Sequence, residues 1–437
     1  MRSPEALALS VVLIGFAGAM RAVTGTWLQP AAFFPLFWCF AGIIPLLLAP
    51  QEPVGANAMI WLIAASLAVA TGAVIGNGGL RTRRIAKPPP ATDREITVLS
   101  LILLISVPLG LGSSIGFLAG SAVPLSDLFD LEKLVVVSNQ AYFARYAEGG
   151  VPSPPFMSRA LLPFVYLAPA IGGLVFELRR ERAWKLLALS SYIPAIAVTV
   201  IQTTKAAMLF AIVLWLSGYF AARLRLGKLA VFTRGHLLLA AVFGGVLMAF
   251  FFAVQLARLA STDTSLLSIV MTKLVTAAFG HMTVFSQWLS EYWHQPFNPT
   301  LGTYTFAGPL EMLGLGTRIP GIFDSLIELV AGDTSNVFTA FRPLIEDFTM
   351  PGALAVLALL GFVGGVGFRM VSAGRWSAVP LLMIAYTTTF WTPVTWIWLY
   401  NSLTATIVAV GLIVFFIRLL RGSRPANTTG ERIAATT

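Results

Sequence analysis

The chain has 437 residues, 57% of them hydrophobic and 11% charged, with a mean hydropathy of +0.82. That composition excludes a soluble globular domain, in which about a quarter of residues are charged, and indicates a polytopic membrane protein. In such a protein a net charge of +10 speaks to the sidedness of loops and not to nucleic acid, which is not expected as a partner.

Apolar runs long enough to cross about 30 Å of hydrocarbon fall near 5–20, 31–50, 57–78, 96–119, 160–178, 186–202, 205–222, 236–256, 351–370, 378–398 and 401–420. The expected fold is therefore an all-α polytopic transmembrane helix bundle of about 11 spans, forming one integral membrane domain. The sole cysteine, Cys39, lies inside the second run. It permits neither an internal disulfide nor a cysteine zinc cluster and says nothing about compartment.

Basic residues cluster in alternate connections: 81–94, 179–185, 223–234, 369–375 and the tail from 418. Excess Lys and Arg mark cytoplasmic loops, so these connections are expected inside, with the N-terminus outside and the C-terminus cytoplasmic. On that assignment most of the 29 basic residues fall inside and most of the 19 acidic ones outside. Arg2 before an apolar run also fits a signal peptide, but its cleavage would invert the parity every later loop needs, so an uncleaved first span is expected. No internal repeat divides the chain into transporter halves. Low complexity is confined to Lys-Pro-Pro-Pro at 87–90 and to a polar cytoplasmic tail, 421–437.

Two long connections then fall outside. In the first, 120–158, Leu128, Leu131, Leu134, Val135 and Val137 suggest an amphipathic helix lying on the bilayer. The second, 257–350, is expected to hold short helices, with 266–292 helical and 298–316 a Gly- and Pro-broken loop. A connection of that size is seldom mere linkage.

Its closing part, SNVFTAFRPLIEDFTMPG at 335–352, sets Asn336, Thr339, Arg342, Glu346 and Asp347 directly before an apolar run. Asp333, Thr334 or Ser335 can cap a short helix from Asn336. Arg342 is expected to leave the α region because Pro343 follows it, and Pro343 to open the next helix with Glu346 and Asp347 near its positive end. Arg342 then either pairs locally with Glu346 or Asp347, or faces a cavity and binds phosphate bidentately. Lys205, beside Gln202, Thr203 and Thr204 at the outer end of a span, either snorkels to the interface or contacts an anion. Arg159 stands at the mouth of a span, and Arg318 is a further outer cation. His281 and His294 show no metal-ligand spacing; each is either a packed histidine or a general base for a sugar hydroxyl.

Taken together, an early aromatic, proline-bearing pair of spans (FFPLFWCFAGIIPLLL), a basic residue opening a mid-chain span (TTKAAMLFAIVLWLSGY), a large late outer loop, and NVFTAFRPLIEDF leading into PGALAVLALLGFVGGVGF resemble the bacterial oligosaccharide repeat-unit polymerases. These are integral membrane glycosyltransferases of the O-antigen polymerase type. The resemblance covers most of the length in layout, and the last motif is its most specific part. It implies an outer active site lined by Asn336, Thr339, Arg342 and Asp347, with Lys205 where the family usually has Arg. After Asp347-Phe348 the family more usually has Gly, where this chain has Thr349-Met350-Pro351.

The resemblance further implies a location in the bacterial inner membrane and a substrate of undecaprenyl-diphosphate-linked glycan units. Polymerisation would occur at the periplasmic face in O-antigen, exopolysaccharide or capsule synthesis, with a chain-length regulator as a further partner. Such a transfer needs cations for the departing diphosphate and an oriented acceptor hydroxyl. Outer cations with Asp347, or His281 second, would supply these with no metal and no cofactor. Two alternatives stay open: a ligase-like transferase of finished polymer, and a lipid-linked glycan flippase or transporter.

Overall fold

A computed structural model describes residues 4–49, 51–80, 91–120, 130, 133, 136, 155–202, 204–230, 234–258, 267–294, 298–316, 323, 325–330 and 332–422. The expected amphipathic helix in 120–158, Arg318 and the tail beyond 422 lie outside the described residues.

The described chain is almost wholly helical. Its elements run α1 (Pro4–Thr24), α2 (Pro30–Leu48), α3 (Ala56–Asn77), α4 (Asp93–Gly120), α5 (Phe156–Leu178), α6 (Arg182–Ser190), α7 (Ile193–Gln202), α8 (Lys205–Arg225), α9 (Arg234–Arg258), α10 (Leu267–Phe279), α11 (His281–Tyr292), α12 (Ala307–Met312), β1 (Ile327–Glu328), β2 (Thr334–Ser335), α13 (Phe341–Ser372), α14 (Val379–Trp391) and α15 (Asn401–Gly422). Among the described residues, nine helices are long and apolar enough to cross a membrane, with α6 and α7 together counted as one.

Two stretches differ from the expected layout. The run at 378–398 is not one helix: α14 has 13 residues, and only a 3-10 turn, Ile397–Leu399, follows it. At 1.5 Å per residue α14 reaches about 20 Å, short of the hydrocarbon thickness. Thr392 still has helical backbone (φ −55°, ψ −30°); Pro393 after it has no amide to carry the helical hydrogen bonds on. Conversely, the stretch 266–292, expected as short helices of an outer loop, is a pair of apolar helices (Ser268–Phe279 and His281–Tyr292) bent by 58° at Gly280.

Helix contacts are closest where small residues meet. On α3, Gly72 and Gly76 face the carbonyls of Ala358 and Phe362, and on α13, Gly361 and Gly365 face those of Val69 and Ala73. A methyl group on Gly72 would stand 1.8 Å from the Ala358 oxygen. Without a hydrophobic drive between helices in lipid, association rests on such close backbone approach. Gly173 of α5 and Gly218 of α8 repeat the device against each other's helix.

Polar contacts sort the connections into two ends. At one end Glu177 takes Lys228 at 2.8 Å and Arg223 at 3.7 Å. There too, Arg179 donates to Thr97 and Ser100, Arg225 stacks 5.4 Å from Trp376 and Thr26 donates to the Leu229 carbonyl. At the other end the hydroxyls of Ser113 and Ser158 donate to each other's carbonyls. Ser286 joins the start of α3 through Gly55 and Asn57, and the Ala340 amide donates to the Thr392 carbonyl. The basic connections thus share one end, and the 335–352 motif lies at the other.

Candidate functional site

The motif is built from a hairpin and a helix. Strands β1 and β2 pair antiparallel, Ile327 with Ser335 and Glu328 with Thr334, and Gly332 turns between them at φ 78°. Closing the hairpin brings Phe323 before it and Phe338 after it to 5.6 Å, edge to face. The expected short helix from Asn336 is absent, because Thr334 and Ser335 enter the ladder instead and 336–338 run without regular structure.

Helix α13 begins at Phe341, so Arg342 is helical despite Pro343 behind it, contrary to expectation. A proline in the first turn removes an amide that has no intrahelical acceptor, which lowers the cost of that arrangement. No acid lies in the first turn of α13, so Glu346 and Asp347 are not complements of its positive end. Each has a specific partner.

Arg342 stands in an aromatic box. Its guanidinium lies 3.7 Å from the ring centre of Phe323, 4.0 Å from that of Phe338 and 5.5 Å from that of Trp288. Its Nε donates to Glu346 at 2.8 Å, one turn further on, and Nη1 to the Ser325 hydroxyl at 2.9 Å. The local pair of Arg342 is formed, with Glu346 and not with Asp347. The side chains of Arg342 and Glu346 keep 12% and 20% of their surface exposed, so the pair is shielded yet open on one side. Cations over aromatic faces gain about 0.5 to 2 kcal/mol each, more as they are desolvated.

Asp347 has a different task. It is fully buried and accepts from the Thr300 hydroxyl and from the amides of Tyr304 and Thr305. Its own carbonyl takes the Leu301 amide at 3.2 Å. Both carboxylate oxygens are engaged by the 300–305 turn, so Asp347 fastens that turn to α13 and has no lone pair turned to solvent.

Three non-glycine residues among those described hold positive φ: Leu301 (50°), Thr339 (65°) and Thr349 (70°). All three touch this motif. Thr339 and Thr349 bracket the Arg342–Asp347 segment, and Leu301 is bonded to Asp347. A β-branched residue at positive φ is an outlier, and such strain costs about 1 to 3 kcal/mol per residue and gathers at functional sites. Thr339 is buried, its hydroxyl accepting the Phe341 amide. Thr349 breaks α13 in two, and its hydroxyl accepts the Gly352 amide as a cap for the second part.

No family model matches the chain, and no curated protein or solved structure matches it either. The site is therefore read from its own geometry.

The remaining sequence-selected residues are dispersed. Asn336 is exposed beside the hairpin. His281 is buried at the α10–α11 bend and its Nε2 donates to the Ala41 carbonyl at 3.0 Å; Trp38 separates it from Phe341. Arg159 is exposed near the start of α5, and Lys205 is half-buried at the start of α8. Neither belongs to the groups around Arg342. Among the described residues no three of His, Cys, Asp and Glu converge to hold a metal ion. Trp288, Phe323 and Phe338 escaped sequence reasoning, since they come from three separate segments. Their only signal was an unusual aromatic density in a polar connection.

Proposed function

We propose that the chain is a membrane glycosyltransferase that polymerises glycan repeat units carried on undecaprenyl diphosphate at the periplasmic face of the bacterial inner membrane. The observation that carries this reading is the Arg342–Glu346 pair held inside Trp288, Phe323 and Phe338 at the end of the bundle away from the basic connections. The three rings are buried and hold the guanidinium in place, while the carboxylate and guanidinium that keep some surface suit sugar hydroxyls and an anionic leaving group. Cytoplasmic placement of the basic end puts the box on the periplasmic side.

In the transfer, an acceptor hydroxyl oxygen bonds to the anomeric carbon of the donor while that carbon's bond to the diphosphate oxygen breaks. The diphosphate leaves with the electron pair, and the hydroxyl proton passes to Glu346. Arg342 stabilises the developing negative charge; Lys205 and Arg159, which stand apart from it, and Arg318 are assigned no contact with the reacting diphosphate beyond that of outer cations met on its approach. The base is assigned to Glu346 and not to Asp347, whose oxygens are already engaged. His281, buried and bonded to a backbone carbonyl, is a packing residue in this scheme.

The test is polymer length in cells carrying single variants at wild-type membrane level. Glu346→Gln and Arg342→Ala should each lower long-chain product about 100-fold or more, the range for loss of an acid–base or charge-stabilising group. Asp347→Asn should instead speed proteolytic nicking near 300–305 while leaving a measurable fraction of product. An unchanged length distribution in both Glu346→Gln and Arg342→Ala would end the assignment.

A further inference from the structure

The turn that Asp347 fastens belongs to a stretch, 298–316, with two contrasting sides. Its polar side points inward: the Thr300 hydroxyl and the amides of Tyr304 and Thr305 bond to Asp347. Its other side is apolar and uncovered, with Leu301 82% exposed, Leu313 71%, Leu315 72%, Met312 52% and Phe306 39%. Glu311 is the sole charged residue in these nineteen positions, and Asn401 donates a hydrogen bond to its carboxylate. Soluble surfaces rarely expose so much contiguous apolar area.

Position decides what covers it. Gly308 packs against the carbonyl of Trp398 and the backbone of Tyr400 and Asn401, so the stretch sits on the first turn of α15. The outward face of that same helix, with Val408 and Leu412 more than half exposed, is the lipid-facing flank of a membrane-crossing segment. The exposed apolar side chains of 298–316 thus stand at the end of a helix whose own exposed side chains are apolar. Leu301 adds a second argument, since it holds a strained φ of 50° that presents an aliphatic side chain outward, an arrangement water would oppose.

We propose that 298–316 is a membrane-immersed rim whose apolar side lies among the acyl chains of the leaflet at this end of the bundle, so that bilayer lipid is the partner of this surface. Segments with one apolar and one polar side take this position at the boundary of headgroups and chains. The placement does not depend on the activity proposed above. It does set the Asp347-fastened turn, and the aromatic box beyond it, within lateral reach of a lipid-borne molecule.

The test uses the full chain with Cys39→Ala and a single Leu313→Cys or Leu315→Cys carrying an environment-sensitive fluorophore. Both positions are exposed, so the label displaces no packed atoms. The protein is reconstituted into phosphatidylcholine–phosphatidylglycerol vesicles with brominated or unbrominated acyl chains. Brominated chains should quench both labels roughly two-fold or more, as for groups buried at acyl depth, while aqueous iodide leaves them bright. Quenching by iodide alone would overturn the proposal. So would a label quenched by neither, which would place protein against this surface.

Discussion

Thr349 is the residue at which sequence and backbone disagree most sharply. With φ 70° and ψ 172° it occupies a region essentially reserved for glycine. Its hydroxyl caps the following helix, which offsets part of the strain. Replacing a capping Thr by Gly costs only a few tenths of a kcal/mol, and glycine's extra chain entropy about 0.5 to 1. Relief of about 1 to 3 kcal/mol of strain should therefore leave Thr349→Gly more stable by about 1 kcal/mol. Thermal unfolding in mild detergent would show a raised midpoint. A midpoint that falls would mean the threonine conformation is not strained. If the strain holds Arg342 and Glu346 in place, the activity proposed above requires the stabler variant to make shorter polymer.

Helices α3 and α13 form the element pair on which the site stands. Their contact is set by backbone approach at Gly72, Gly76, Gly361 and Gly365, and α13 carries the Arg342 segment directly above it. A single methyl at Gly72 would overlap the Ala358 carbonyl, which no rotamer change can relieve. Gly72→Ala should force the helices apart at a cost of about 1 to 3 kcal/mol or more. Size-exclusion profiles after brief heating would register it as lost monodisperse protein. Gly15, around which a methyl would meet nothing within 4 Å, supplies the control: Gly15→Ala should elute as the wild type does. Equal behaviour of the two variants would contradict the packing described.

At the scale of the molecule, charge distinguishes two ends. The Glu177, Arg223 and Lys228 cluster and Arg225 gather at one, and the aromatic box with the Asp347 turn lies at the other. The proposed orientation makes the basic end cytoplasmic. A membrane-impermeant maleimide on right-side-out vesicles should then label Thr334→Cys and spare Leu80→Cys, both in a Cys39→Ala background, with the pattern exchanged in inverted vesicles. The opposite pattern would reverse the sidedness and remove the periplasmic assignment with it. The length of α14 adds a constraint, for a 13-residue helix does not cross the bilayer unaided, and loop parity alone cannot fix the number of crossings.

The amino-acid sequence by itself determined the membrane class and most of the long helices, though not the short helix at 378–398. Transfer of a side chain into hydrocarbon is a sum of local terms, and a run of 20 apolar residues declares itself wherever it sits. It offered Glu346 and Asp347 alike as partners for Arg342, with Arg342 expected outside the helix; the choice of Glu346 came with the helical backbone that sets residues four apart side by side. Only the tertiary structure decided what surrounds that pair. Trp288, Phe323 and Phe338 meet through a bent helix and a two-stranded hairpin, and Asp347 finds its partners more than forty residues upstream. Such contacts depend on how distant segments pack, which no local pattern encodes. The same holds for the α3–α13 contact, where each glycine is visible in the sequence but its partner carbonyl is not.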